Sequence, residues 1–478
     1  MSRRRSLVAG WLAAAGLAAP LAGAALPALA AEPAGPAART PVHHVVVVMQ
    51  DHRSFDHYFG TRPGVDGLPA GVCLPAGPHL PCAAPYRLGR SSGTTSFNDG
   101  RRYLERQLHG GRMDGFVTAY AGTAADGRAT MGHYDRRDLP YYWRLADDYV
   151  LMDHFFSALP ANGVANRYLS VTAAAPPRGA TTVPTGGWPD VRTVFDALTD
   201  AGVSWRIYVE HYGNAHRWTD AETERMRARV PLLALAGRDP AALAGHVVDL
   251  ERYYEDAADD HLPAVSWVVA TGPTERPPAA PGPGQRFVRG LVTTLQASRA
   301  WPSSAFFLTY DSSGGWYDHV PPPAWNGAAR GARVPTLLVS PYARRGLVDH
   351  DVMDATALLR FIEDNWRVAP LTRRDAGAPS LLAAFDFGHA RRADLASVPV
   401  AAPAGNASWA VIYGAYGGAL VIVAALVRWL TRGRSLTGPE PPAQSRPPGP
   451  GPVAEAGAGR SGVRDRVRDA LDVRRGTR

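Results

Sequence analysis

Val45, Val46, Val47, Val48 and Met49 form an unbroken apolar run, mostly β-branched, and residues that stiff at χ1 favour extended chain. A strand apolar on both of its alternating faces belongs in the middle of a covered parallel or mixed sheet, which excludes a strand with one wet face. Polar chain follows at once: Asp51, His52, Arg53, Ser54, Asp56 and His57. In open α/β sheets ligands gather at the carboxyl ends of the strands, so this loop is the first place to look for chemistry.

The 478 residues are enough for one large domain or two. All 51 basic residues are arginine, so no lysine can serve as a nucleophile or form a Schiff base. The formal charge of +8 does not argue for nucleic acid, because the central arginines are interspersed with Asp and Glu and the excess lies at the ends. Residues 1–30 read as a signal peptide, with Arg3, Arg4 and Arg5 before an Ala/Leu-rich stretch and a small-residue cleavage site at Ala28 to Ala30. The paired arginines also fit a twin-arginine signal. Cys73 and Cys82, the only cysteines, are then expected to pair in an oxidising compartment. Only His79 is near enough in sequence to add a metal ligand, which favours a structural clip worth about 2 to 3 kcal/mol on the chain-entropy account.

Several stretches resemble a known family. Arg53-Ser54-Phe55-Asp56-His57-Tyr58-Phe59-Gly60 matches the opening motif of the bacterial phosphoesterase family that contains phospholipase C and acid phosphatase enzymes. The family's leading Glu-Asn is Asp51-His52 here. Gly111-Arg112-Met113-Asp114-Gly115-Phe116 is similar to a second family segment, and Asn98 and Asp99 stand where a His often precedes it. Asp311-Ser312-Ser313-Gly314-Gly315-Trp316-Tyr317-Asp318-His319-Val320 resembles a third, with Ser312 in place of its second carboxylate. Arg276 replaces a phosphate-contacting His, and Ala355 stands in an Asp-His-Thr segment of the family. In the register set by Asp153 and by Asn166-Arg167, the nucleophile position is Gly163, which has no atom to attack phosphorus.

The resemblance, over residues 42 to 388, implies a three-layer α/β/α sandwich of alkaline-phosphatase-like type. It implies a divalent metal ion of unknown identity held by Asp51, His52 and Asp311, with phosphate contacts from Asn166, Arg167 and Arg276. After a 31–41 lead-in and a 42–390 domain, residues 391–408 read as a linker. Residues 409–427 are uncharged, long enough to span a bilayer, and followed by Arg428, Arg432 and Arg434. The positive-inside rule makes this a single-pass anchor at the cell membrane, with the main domain outside and residues 428–478 as a disordered cytoplasmic tail. Three readings follow. One is a phosphoesterase acting on phospholipid or phosphate monoester through water in the space left by Gly163. The second is a non-catalytic surface binding module on the same fold, and the third a membrane protein working through its tail.

Overall fold

The computed structural model describes residues 36–389 other than 90–93, 214–217, 239, 273–274, 325–326 and 328. The signal peptide, linker, membrane span and tail expected at the two ends lie outside the described residues, as does the second of the chain's two units, residues 401–478. Among the described residues no helix is long and apolar enough to cross a membrane.

Among the described residues ten strands form in chain order: β1 His44–Gln50, β2 Tyr86–Arg87, β3 Gly132–His133, β4 Val150–Met152, β5 Trp205–Val209, β6 Val247–Asp249, β7 Val265–Val269, β8 Ser304–Tyr310, β9 Thr336–Val339 and β10 Val348–Asp349. Strands β2 and β3 pair by themselves, and the other eight make one mixed sheet in the order β10-β4-β9-β8-β1-β7-β5-β6. Only β9 runs against its neighbours, β4 and β8.

The valine run lies in a central strand. β1 pairs in parallel with β7 on one side and β8 on the other, and every residue from Val45 to Gln50 is buried. Alternate side chains point to opposite faces, so both faces of the sheet are covered, as the run without alternation predicts. Each valine taken out of water contributes about 1.5 to 3 kcal/mol. One group of covering helices packs Gly282–Ala297 against Glu251–Ala258 and Pro140–Asp148, and another packs Ala355–Trp366 against Gly163–Thr172.

A satellite core of Leu74, Ala83, Met113, Phe116, Val117, Met131 and Tyr317 lies under the surface chain that follows the opening motif. Cys73 and Cys82 are bonded there, with 5.4 Å between their Cα atoms, and the residues that follow them, Leu74 and Ala83, exchange backbone hydrogen bonds.

Candidate functional site

The carboxyl ends of β1 and β8 are adjacent, so the loops that leave them meet. Two backbone features let them touch. His52 takes a left-handed φ of 59°, and Gly314 at φ 63° lies so close that a Cβ there would stand 2.5 Å from the His52 Cβ. No larger residue fits at 314.

A pocket of about 410 Å³ opens at this junction. Its walls come from the β1 and β8 loops, the first turn of helix Gly163–Thr172, helix Asp220–Arg229 and the segment after β7. Asn162 starts the first helix by accepting the Ala165 N–H, and Thr219 and Glu222 cap the second reciprocally. Arg229 lies in the last turn of that helix and reaches Asp51.

Asp51 and Asp311 do not stand free. Arg167 Nη2 donates to Asp51 Oδ1 and Arg167 Nε to Asp311 Oδ2, both at 3.0 Å, while Arg229 Nη1 donates to Asp51 Oδ2 at 2.9 Å. Arg167 also reaches the Met49 and Gln50 carbonyls. Burial opposes charge on Asp51, but Arg229 and Arg167 overcome it and hold the carboxyl well below the usual range. His52 Nδ1 lies 3.0 Å from Asp99 Oδ2 and 2.9 Å from Ser312 Oγ. Burial disfavours its charged form, yet Asp311 and Asp99 together outweigh that and raise its pKa to about 9. At neutral pH His52 is an imidazolium.

Asp51, His52 and Asp311 are brought together as expected, their ligand atoms within 4.8 Å of one another. As a metal set they fit poorly. Both oxygens of Asp51 accept from arginines, and Asp311 accepts from Arg167 and from the His52 backbone N–H at 3.0 Å. The cation between the two carboxylates is the Arg167 guanidinium. The pocket's carboxylates, Asp51, Asp99, Asp311 and Glu224, face Arg167, Arg225, Arg229 and Arg276 besides His52, so no dication is needed to balance them.

Two of the three expected phosphate contacts are engaged elsewhere in the structure. Asn166 spends its amide on the turn before its helix, bonding the Leu159 N–H and the Leu159, Ala161 and Asn162 carbonyls, and it does not line the pocket. Arg167 lines the pocket but is committed to the two aspartates. Arg276 does stand on the wall, exposed, with no ion-pair partner among the described residues.

Gly163 is the decisive position. A Cβ built on it would lie 2.1 Å from Asp311 Oδ2 and 2.5 Å from Asp311 Cγ, so the carboxylate fills the volume a nucleophile's side chain would take. The positive end of the helix dipole favours an anion at that spot.

The buried polar residues behind the pocket are scaffold. Buried Arg53 bonds the Glu275 and Ala279 carbonyls and lies over the Tyr58 and Trp316 rings. Buried Glu275 accepts from the hydroxyls of Tyr58 at 2.8 Å, Tyr310 at 2.6 Å and Tyr142. Burial raises the Glu275 pKa despite those three donors. Arg53 and the tyrosine cage together fix the segment that carries Arg276. Asp56 and Asp318, in a second Asp/His group with His319, are each gripped at 2.9 Å by buried Arg333.

A match to the Phosphoesterase family runs over residues 42–369. The chain belongs to that family. Among curated members of similar sequence, Phospholipase C B of Mycobacterium tuberculosis is 28% identical over 429 residues, covering 73% of this chain and 78% of its own. Hemolytic phospholipase C of Pseudomonas aeruginosa is 29% identical over 419 residues, 72% of this chain and 56% of its own. Non-specific phospholipase C1 of Arabidopsis thaliana is 26% identical over 404 residues, 74% and 73% of the two chains. A solved alkaline-phosphatase-superfamily protein from Vibrio parahaemolyticus aligns at TM-score 0.36 and 11% identity over 71% of this chain and 70% of its own, too loose a likeness to carry an argument.

Reading along the sequence found Arg276, the Asp51-His52-Asp311 grouping and Asp99. It missed Arg229, although Thr219 and Glu222 spell the capping box that starts its helix. It also passed over His350.

Proposed function

We propose that this phosphoesterase-family chain is a membrane-anchored binding module on the outer surface that takes a phosphate ester, a phospholipid headgroup among them, without turning it over. One observation carries the reading: the Asp311 carboxylate occupies the room of a side chain at Gly163, locked there by Arg167. Covalent catalysis needs an activated oxygen or sulfur at the reacting phosphorus; Gly163 supplies none, and the Asp311 oxygens that fill its place are taken by Arg167 Nε and the His52 backbone N–H. Arg276 and Arg225, both exposed on the pocket wall, are the groups suited to an anion. The signal-like sequence of residues 1–30 and the uncharged 19-residue stretch at 409–427, followed by arginines, support the location outside an anchored membrane face.

The test is turnover and binding by the purified full chain, with phosphate monoesters and diesters and with phospholipid vesicles. The expected outcome is saturable binding with no hydrolysis, weakened about tenfold or more in Arg276→Ala, the loss of one charged hydrogen bond. Hydrolysis that disappears in Asp311→Ala would sink the proposal.

A further inference from the structure

Strands β4 and β10 pair in parallel at the edge of the sheet, Leu151 opposite Val348 and Met152 opposite Asp349. Continuing that register by one residue brings His350 beside Asp153 as each strand ends. His350 Nδ1 accordingly lies 2.9 Å from both oxygens of Asp153, and His154 Nδ1 lies 3.0 Å from Asp153 Oδ1. Two imidazoles and a carboxylate converge here, and none of the three lines the pocket described above.

The spacing suits an ion. Around a zinc-type cation with bonds of about 2.1 Å, neighbouring ligand atoms stand about 3.0 to 3.5 Å apart. Each imidazole nitrogen already stands close to that distance from the Asp153 carboxylate, and the ligand atoms of all three residues lie within 4.8 Å of one another. The surroundings also point to a ligand. Behind His154, Nε2 faces Asp66 Oδ2 at 3.3 Å, and Asp66 Oδ1 is in turn bonded by His319 Nε2 at 3.0 Å. A carboxylate behind a ligating imidazole fixes its ring and strengthens it as a donor. The neighbouring Asp349 is buried, and its Oδ2 has no hydrogen-bond partner among the described residues. No arginine forms an ion pair with the Asp153 carboxylate among the described residues; Arg333 reaches only its backbone carbonyl. The His350 side chain is 59% exposed, so an ion can enter from solvent.

We propose that Asp153, His154 and His350 bind a divalent transition-metal ion of the zinc type. Two nitrogens and one oxygen suit zinc and its neighbours over magnesium or calcium, which prefer oxygen throughout. The ion ties the end of the two-residue strand β10 to β4, and its binding is independent of what the pocket does.

The experiment is titration of the chelator-stripped full chain with Zn²⁺, and with Co²⁺ read by its visible absorption. One tight equivalent is expected. Loss of a ligand in His350→Ala or His154→Ala should weaken it by more than about 100-fold, because outer partners alone are worth roughly 10- to 100-fold. Asp66→Asn should cost about 10-fold for the same reason. Because His350 is exposed, its variant keeps the fold, and an unchanged melting temperature without metal checks this. The proposal is overturned by a chain that takes up no tight equivalent, by one whose affinity survives His350→Ala, or by one that loses the ion in His52→Ala while His350→Ala retains it.

Discussion

An Asp-His pair follows β1 and another follows β4, in the same sheet and at the same ends of the strands, yet the two sit in opposite company. Asp51 is held between Arg167 and Arg229 and His52 stays protonated between Asp99 and Asp311. Among the described residues Asp153 meets no guanidinium at its carboxylate; it accepts the Asp66 backbone N–H and faces the imidazole nitrogens of His154 and His350. Guanidinium cannot give up its proton in a protein, whereas imidazole can. The first pair is therefore closed by a permanent cation, and the second is left open to an exchangeable one. Residue type alone does not make a metal site; what lies against the carboxylate decides.

The largest effect that would break this contrast is Arg167→Met, which strands Asp311 and half of Asp51 in a buried place. Leaving a buried charge uncompensated costs about 3 to 5 kcal/mol, measurable as a lower urea midpoint at unchanged slope. A neutral result would mean that the aspartates are not held as described. Next, Gly163→Ser should cost about 1 to 3 kcal/mol, the usual range for overpacking, because its Cβ meets the Asp311 carboxylate. It should also fail to create turnover, and a hydrolytically active Gly163→Ser protein would show the carboxylate to be easily displaced.

A pH series sharpens the first side. The folded pKa of His52 is raised from 6.5 to about 9, so its stabilisation is complete below about pH 6.5 and is lost as pH climbs through about 9. Stability should fall over that window in the unmodified chain, and the fall should be shallower in His52→Gln; identical pH profiles would contradict the imidazolium. The smallest effect belongs to the edge. Without metal, His350→Ala should change stability by no more than about 1 kcal/mol, as for an exposed ion pair, checked by thermal melting in chelator.

The sheet was legible because its signal is local. The apolar run at Val45 to Met49, the alternation through Trp205 and Tyr208, and the run ending at Tyr310 each became strands, with ends shifted by only a few residues. The floor of the pocket was legible through its motifs, which place Asp51 and Asp311 at adjacent strand ends. Long-range pairing could not be read. Arg229 comes 178 residues after Asp51, and a helix cap says nothing of where the far end of that helix points. Asn166 misled for a local reason: a short amide at the start of a helix is drawn to nearby backbone groups, and here it is spent on them. His350 was missed because only the register between β4 and β10 brings it beside Asp153, 197 residues away.

The tyrosine cage around Glu275 has a kinetic side. Its donors stand 217, 133 and 35 residues from the carboxylate they share. Contacts so distant along the chain carry the entropy of closing large loops before they give anything back. The central pairings of β1 with β7 and β8 close loops of similar length, and the cage is built at and just beyond the ends of those strands, so it should close only after they pair, and with it the wall that carries Arg276. A collapsed intermediate with most of its sheet in place would still be unable to present that arginine, so anion binding would report completion of the native state where circular dichroism would not.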